Sequence, residues 1–142
     1  YLNHCVMLHD ERSLLLFLNK VDKDFSPPLS SKVDLKDYIL KIQEKAELIT
    51  EEQNGLIRGL VILYCNDFET KIAYISLVGV LPEFRGMGIA KICMSQAINV
   101  AKEKGMKRIM IHSNNPVAVK IYNDLGFHII EDGDRKLMSL SL

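Results

Sequence analysis

The fold of this chain is decided by the stretch Ile75-Ser-Leu-Val-Gly-Val-Leu-Pro-Glu-Phe-Arg-Gly-Met-Gly-Ile-Ala-Lys91. An apolar strand ends at Pro82, a turn with two glycines follows, and an amphipathic helix begins directly after Gly88. The start of a helix has backbone N–H groups without acceptors and the positive end of the helix dipole, so it favours anions such as phosphate. Glycines at 86 and 88 remove the side chains that would keep an anion away from that backbone. The stretch therefore predicts a strand, a phosphate-binding turn and a helix.

The residues that follow predict a βαβ unit. Positions 90, 93, 94, 97, 98 and 101 are apolar with the 3.6-residue period of a helix, which Gly105 ends. Arg108–His112 is predicted to be a short strand, parallel to the strand before the helix. Asn115 and Pro116 are suited to begin another helix, which Gly126 closes. A final strand pair is predicted at 127–130 and 137–140.

The N-terminal half predicts two helices followed by antiparallel strands. Asp10 and Asp34 are each suited to cap a helix, and the proline-containing loop Phe25–Ser31 separates the two helices. Asn54-Gly55 is a strong hairpin signal. The strands predicted in this half are 5–8, 47–52, 56–65 and 72–81. The expected fold is α/β (α+β): a mixed, mostly antiparallel sheet with a central parallel βαβ crossover and helices on both faces.

Composition narrows the class of protein. The 142 residues are expected to form a single domain, and 48% hydrophobic with 25% charged residues is typical of soluble globular proteins. Acidic and basic residues balance at 18 each, so no net charge favours nucleic acid or an anionic membrane. No apolar run has transmembrane length. The three cysteines are widely spaced and form no C-x-x-C pair, so we expect reduced thiols in a cytoplasmic protein.

Two common glycine motifs for phosphate do not fit the turn. A P-loop needs G-x-x-x-x-G-K-[ST], and the Lys-Ser/Thr pair is absent. A dinucleotide fingerprint needs G-x-G-x-x-G, but its third glycine is Lys91 here, and the preceding strands are predicted to be antiparallel. Neither nucleoside triphosphate hydrolysis nor dinucleotide binding is predicted.

The pattern Arg85-x-x-Gly88-x-Ala90, followed by Asn115-x-x-Ala118-x-x-x-Tyr122-x-x-x-Gly126-Phe127, resembles the GCN5-related N-acetyltransferase (GNAT) family. The resemblance extends from Ile75 to Phe127 and implies that the turn wraps the pyrophosphate of acetyl-CoA, the acyl-donor cosubstrate, without a metal. It implies a set of coenzyme-binding residues. These are Val78, Gly79 and Val80 for the pantetheine arm, the backbone of Gly86, Met87, Gly88, Ile89, Ala90 and Lys91 for the diphosphate, Arg85 and Lys91 for added charge, and Asn115 for the CoA arm.

The same resemblance assigns Tyr122 as the general acid for the leaving thiolate. The alternative is that Tyr122 only packs its helix on the sheet. A strand N–H within 78–80 is expected to support the oxyanion. Gly79, in the middle of a strand, is expected to mark a bulge or a close backbone approach that opens a gap between the parallel strands.

No general base is assigned. Ribosomal-protein N-terminal acetyltransferases of the family carry a glutamate where this chain has Met110, which cannot accept a proton. Glu52 and Glu69 are weak candidates, and a water relay is the alternative. His112 is expected to hydrogen-bond at a strand end without catalysing. The side chains at Tyr64, Tyr74 and Ser76 are expected to fill core or cleft.

These observations predict an N-acetyltransferase in which a primary amine attacks the thioester directly. The expected acceptor is a small molecule, such as an amino sugar or an amino acid. Two alternatives stay open: a non-catalytic acyl-CoA-binding or sensing module, and an enzyme that acetylates protein N-termini or lysines. We expect acceptor choice to depend on residues 10–45 and the C-terminal strand pair. A homodimer also stays open.

Overall fold

The computed structural model describes residues 10–25 and 27–142. The four α-helices are α1 (Glu11–Val21), α2 (Leu35–Lys45), α3 (Ile89–Glu103) and α4 (Pro116–Asp124). The six strands are β1 (Glu47–Gln53), β2 (Leu56–Tyr64), β3 (Ile72–Val80), β4 (Arg108–Ser113), β5 (His128–Asp132) and β6 (Lys136–Ser141). The predicted strand at 5–8 lies outside the described residues. Within the described part of the chain, each helix is too short or too polar to cross a bilayer.

The six strands form one mixed sheet in the order β1-β2-β3-β4-β6-β5. Neighbouring strands are antiparallel except β3 and β4, which are parallel and joined by the crossover through α3. Two buried apolar clusters lie on opposite faces of this sheet. One contains α3 and α4, and the other contains α1 and α2. We call these the α3/α4 face and the α1/α2 face. The predicted fold class is confirmed.

Short-range signals determine where the elements begin and end. The Asp10 carboxylate accepts the N–H of Arg12 at 3.0 Å, and Asp34 caps α2 in the same way. At the hairpin, Asn54 and Gly55 have φ of +53° and +79°, as a type I′ turn requires. The predicted loop at 25–31 contains a short 3₁₀ turn at Leu29–Ser31, because the Asp22 carboxylate accepts both Ser30 N and Ser30 Oγ.

Helix α3 is rotated slightly from its predicted phase. Its buried residues are Ile89, Cys93, Met94, Ala97, Val100 and Ala101, whereas Ala90 and Ile98 are half-buried. The reason lies on β2, where Gly59 leaves room for Ile89. A Cβ added at Gly59 would lie 2.5 Å from Ile89 Cγ2 and 3.3 Å from Cys93 Sγ. The missing side chain therefore sets how closely the first turn of α3 approaches the sheet.

Gly59→Ala is expected to destabilise the protein by about 1–3 kcal/mol, the usual cost of overpacking a core. The clashing methyl is the β-branch of Ile89, so Ile89→Leu should recover part of that loss when combined with Gly59→Ala. Chemical denaturation of the two single variants and the double variant measures the recovery. Fully additive losses would show that the contact between these two residues does not limit the packing.

Candidate active site

Strands β3 and β4 separate toward their C-terminal ends. Their parallel ladder ends at Ile75↔Ile111, although β3 continues to Val80 and β4 to Ser113. On the other side of β3, the pairing with β2 skips one residue between Ile75 and Leu77. That extra residue is Ser76, and such a bulge bends a strand locally. We call the resulting gap, between residues 76–80 of β3 and 112–113 of β4, the wedge.

The bulge lies at Ser76 and not at Gly79, where the sequence predicted a bulge or a close backbone approach. Gly79 pairs regularly with Leu60, and an added Cβ would lie 3.3 Å from Phe17 Cζ. The glycine therefore makes room for an α1 side chain on the α1/α2 face. The close approach at this position is made by the Phe17 side chain, and not by another backbone as was predicted.

The backbone of β3 presents open hydrogen-bonding groups to the wedge. Leu81 N donates to Arg58 O on β2 at 2.9 Å, so by alternation the peptide groups of Val80 and Val78 point the other way, toward the wedge. Both residues lie beyond the last pair of the β3–β4 ladder. An extended ligand with amide groups can bond to this edge as a strand would.

The turn between β3 and α3 continues that open backbone. Gly86 and Gly88 have φ of +78° and +80°, and a Cβ added to either would meet nothing within 4 Å. The first helical bond is Ile92 N to Gly88 O, and no side chain caps α3. Within the described part of the chain, the N–H groups of residues 86–91 have no acceptor. Six donors at the positive end of a fifteen-residue helix suit an anion with several oxygens.

Arg85 makes two contacts that the sequence analysis did not foresee. Its Nη2 lies 2.5 Å from Asp24 Oδ2, and its Nε donates to Val80 O at 3.1 Å. The ion pair ties the segment after α1 to the turn. The side chains of Arg85 and Asp24 are 47% and 35% exposed, so the pair contributes at most about 1 kcal/mol to stability. Lys91, one turn into α3, is exposed.

Tyr122 lies on α4, in the same buried cluster as Ile111 of β4. Only 4% of its surface is exposed, and its ring packs on Phe127 with centroids 6.0 Å apart. Burial raises the pKa of Tyr122 to about 12, which keeps the hydroxyl protonated. No described residue hydrogen-bonds to that hydroxyl, and an unpaired buried hydroxyl is costly. Packing alone explains the ring but not the hydroxyl.

Asn115 begins the helix that carries Tyr122. Its Oδ1 accepts the N–H of Val117 at 2.9 Å and of Ala118 at 3.3 Å, which confirms its predicted capping role. Pro116 follows at the first helical position. The Asn115 side chain is exposed, and its amide NH₂ is not used by the cap.

On the α1/α2 face, Tyr74 and His112 form a pair that the sequence analysis did not select. Tyr74 Oη lies 2.7 Å from His112 Nδ1, and both residues are half-buried. Tyr74 is opposite Met110 in the parallel ladder, and His112 is two residues further along β4 on the same face. Strand alternation could have placed each residue on this face, but only the register of β3 against β4 brings them together.

Two more tyrosines extend this aromatic row. Tyr64 on β2 is opposite Tyr74, and Tyr38 on α2 lies near Tyr64 and Ser76. Burial raises the pKa of Tyr38 to about 12. Ser76, at the bulge, is exposed. The three tyrosines are half-buried, and together with Ser76 they line an open part of the α1/α2 face beside the wedge.

Glu52 and Glu69, the carboxylates considered as bases, lie far from the wedge. Glu69 is in the turn before β3, at the opposite end of the strand, about 20 Å away at 3.3 Å per residue. Glu52 is on β1, the edge strand, two strands from β3, and its carboxylate accepts Thr50 Oγ1.

The comparisons with known proteins agree with this geometry. Residues 15–127 match the model of the Acetyltransferase (GNAT) family. The chain belongs to the GNAT family. It is 44% identical over 64 residues to GCN5-related N-acetyltransferase 4, chloroplastic, of Arabidopsis thaliana, covering 44% of this chain and 22% of that protein. It is 24% identical over 119 residues to N-alpha-acetyltransferase MAK3 of the same plant, covering 82% and 62%. The chain therefore spans less than two thirds of either relative.

The GNAT fold is also seen in a solved structure similar to this one. PaiA N-acetyltransferase of Thermoplasma acidophilum, in complex with coenzyme A, superposes with a TM-score of 0.72. The alignment covers 95% of this chain and 96% of that one, at 16% identity. At this identity the likeness concerns the fold, and it covers nearly all of both chains.

Proposed function

We propose that this GNAT domain is an acetyl-CoA-dependent N-acetyltransferase that acetylates the primary amine of a small molecule, such as an amino sugar or an amino acid. One observation carries the proposal. The open peptide groups of Val78 and the N–H of Val80 lead directly to the N–H groups of residues 86–91, which have no acceptor among the described residues. An amide-containing arm that ends in a diphosphate matches this sequence of open groups.

The described residues offer acetyl-CoA open groups along its length. The N–H groups of Gly86, Met87, Gly88, Ile89, Ala90 and Lys91 would hold the diphosphate, where both glycines leave open space. The peptide groups of Val78 and the N–H of Val80 would bond to the pantetheine amides, and Gly79 joins the two residues. Val80 O already accepts Arg85 Nε. Arg85, Lys91 and the Asn115 amide are the side chains expected to contact the coenzyme. Acetyl-CoA supplies the activated acyl group, and the wedge would hold its thioester.

Tyr122 is proposed as the group that donates a proton to the thiolate. Its hydroxyl is buried on the α3/α4 face, stays protonated, and has no partner among the described residues. This hydroxyl is the reason for preferring an enzyme to a binding or sensing module, which would not need a buried donor. A wedge N–H at residues 78–80 would stabilise the oxyanion.

The second candidate is acetylation of a protein N-terminus. The similarity to N-alpha-acetyltransferase MAK3 over 82% of the chain favours it. Met110 weighs against it, because it stands where ribosomal-protein acetyltransferases of this family carry a glutamate. Lysine acetylation is the related alternative. A cytoplasmic location also stays a prediction, since one relative is named as chloroplastic.

Calorimetry and a free-thiol assay test the proposal. Acetyl-CoA should bind, while NADH and ATP should not, because neither has an arm that fits the β3 edge. CoA should be released only when an amine is added from a panel of amino sugars, amino acids and peptides. Release with peptides alone would favour the second candidate. Binding without release for any amine would favour a sensing module, and no binding would refute all three.

A further inference from the structure

We propose that His112 takes the proton from the acceptor amine, and that Tyr74 is a positioning residue that fixes its imidazole. The inference rests on the proposed function and supplies the base that the sequence left unassigned. The position of His112 on β4 is the first observation. His112 is the first residue of β4 beyond the ladder with β3, so its side chain lies where the wedge opens on the α1/α2 face.

In this proposal the two proton transfers occur on opposite faces of the sheet. Tyr122 is buried on the α3/α4 face, and Tyr74 and His112 lie on the other face. An acceptor that enters from the α1/α2 face meets His112 before it reaches a thioester in the wedge. A proton is removed on the side where the amine arrives and donated on the side where sulfur leaves.

The hydrogen bond to Tyr74 determines which nitrogen is basic. The proposal requires that His112 donates its Nδ1–H to Tyr74 Oη, 2.7 Å away, which leaves the lone pair on Nε2. No described residue bonds to Nε2, and the imidazole ring is half-buried. The amine nitrogen attacks the carbonyl carbon, the C–N bond forms, and the C–S bond breaks with its electron pair on sulfur. Nε2 takes the amine proton, and Tyr122 protonates the thiolate. Solvent later removes the proton from His112 and restores that of Tyr122.

The surroundings leave His112 without a carboxylate on either neighbouring strand. Neither β3 nor β6 has an acidic residue. On the same face, Arg108 bonds to Ser139 Oγ, and Tyr64 and Tyr38 complete the row. Other charged groups are more distant. Glu131 on β5 is opposite Leu137, itself opposite His112, and so lies two strand spacings away, about 10 Å. Lys136, on the other face, pairs with Asp132.

The kinetic test uses four variants and the amine found in the acceptor screen. His112→Gln should lower kcat/KM about 100-fold, as loss of a general base does, and should remove the acidic limb of its pH profile. Tyr74→Phe should lower kcat/KM about tenfold and keep that limb. The double variant should be no slower than His112→Gln, because the two residues act as a unit. Glu131→Gln, the carboxylate control, should resemble wild type. Unchanged kinetics in His112→Gln, or loss of the limb in Glu131→Gln, would overturn the inference.

A second measurement does not depend on turnover. Nitrogen-detected NMR of the free protein should show the His112 ring with its proton on Nδ1, and Tyr74→Phe should disturb that state. A proton on Nε2 would overturn the inference, because the proposed base would then lack its lone pair. Calorimetry should give unchanged acetyl-CoA affinity for all variants. If wild type binds acetyl-CoA but acetylates no amine, the proposed function fails and this inference with it. If wild type turns over and the variants match it, only this inference fails.

Discussion

Replacing Gly88 with valine is expected to weaken acetyl-CoA binding about a hundredfold. Two physical effects act together. The φ of +80° is unfavourable for any side chain and most unfavourable for a β-branched one. A Cβ there would also occupy the open space in front of the N–H groups of residues 86–91. Titration calorimetry on the folded variant measures the loss.

Gly105→Val is the matched control for this change. Gly105 follows the other end of α3, has φ of +78°, and also has nothing within 4 Å of an added Cβ. The two variants should therefore lose similar thermal stability from backbone strain, while only Gly88→Val should lose affinity. Wild-type affinity in a folded Gly88→Val protein, or equal losses in both variants, would refute the diphosphate site at this turn.

Tyr122→Phe is expected to lower kcat about tenfold or more and leave acetyl-CoA affinity unchanged. It should not lower the melting temperature, because the hydroxyl has no described partner, and its removal relieves a desolvation penalty of about 1 kcal/mol. Rapid-mixing kinetics with saturating acetyl-CoA measure the rate, and thermal unfolding measures the stability. A slow but equally stable variant supports a catalytic hydroxyl. An unchanged rate would remove Tyr122 from the mechanism.

Because the pKa of Tyr122 is raised, Tyr122→Phe should also change how stability depends on pH. In wild type the unfolded chain loses the tyrosine proton near the ordinary pKa of 10, but the folded chain holds it to about 12. The unfolded state therefore binds fewer protons in that window, and the free energy of unfolding falls as pH rises through it. The phenylalanine variant should show a smaller fall. Tyr38 contributes in the same way, so the fall should not vanish.

Features that depend on near neighbours in sequence were predictable. The Asn115 side chain caps residues two and three positions ahead, and the Asn54-Gly55 turn depends on two backbone conformations. Such interactions form within one turn of chain. The strand–turn–helix unit at 75–91 belongs to the same class, which explains why this unit and the fold class could be predicted together.

Features that depend on register between distant segments were missed. The bond between Tyr74 and His112 joins residues 38 apart, and that between Asp24 and Arg85 joins residues 61 apart. Gly79 was expected to mark a bulge or a close backbone approach, since glycine is the usual local signal, but the bulge lies at Ser76. The skipped pairing is a property of two strands aligned together. A one-residue slip would send every later side chain to the opposite face, and no local pattern determines that alignment.

If the wedge admits the two substrates from opposite faces of the sheet, the order in which they bind is affected. Neither reactant has to move past the other, so both can be present at once and no acylated protein intermediate is needed. A compound that joins coenzyme A to an amine through a short spacer would then thread the opening and bind more tightly than either half. Double-reciprocal plots of initial rate should then intersect, as a ternary complex requires, instead of running parallel.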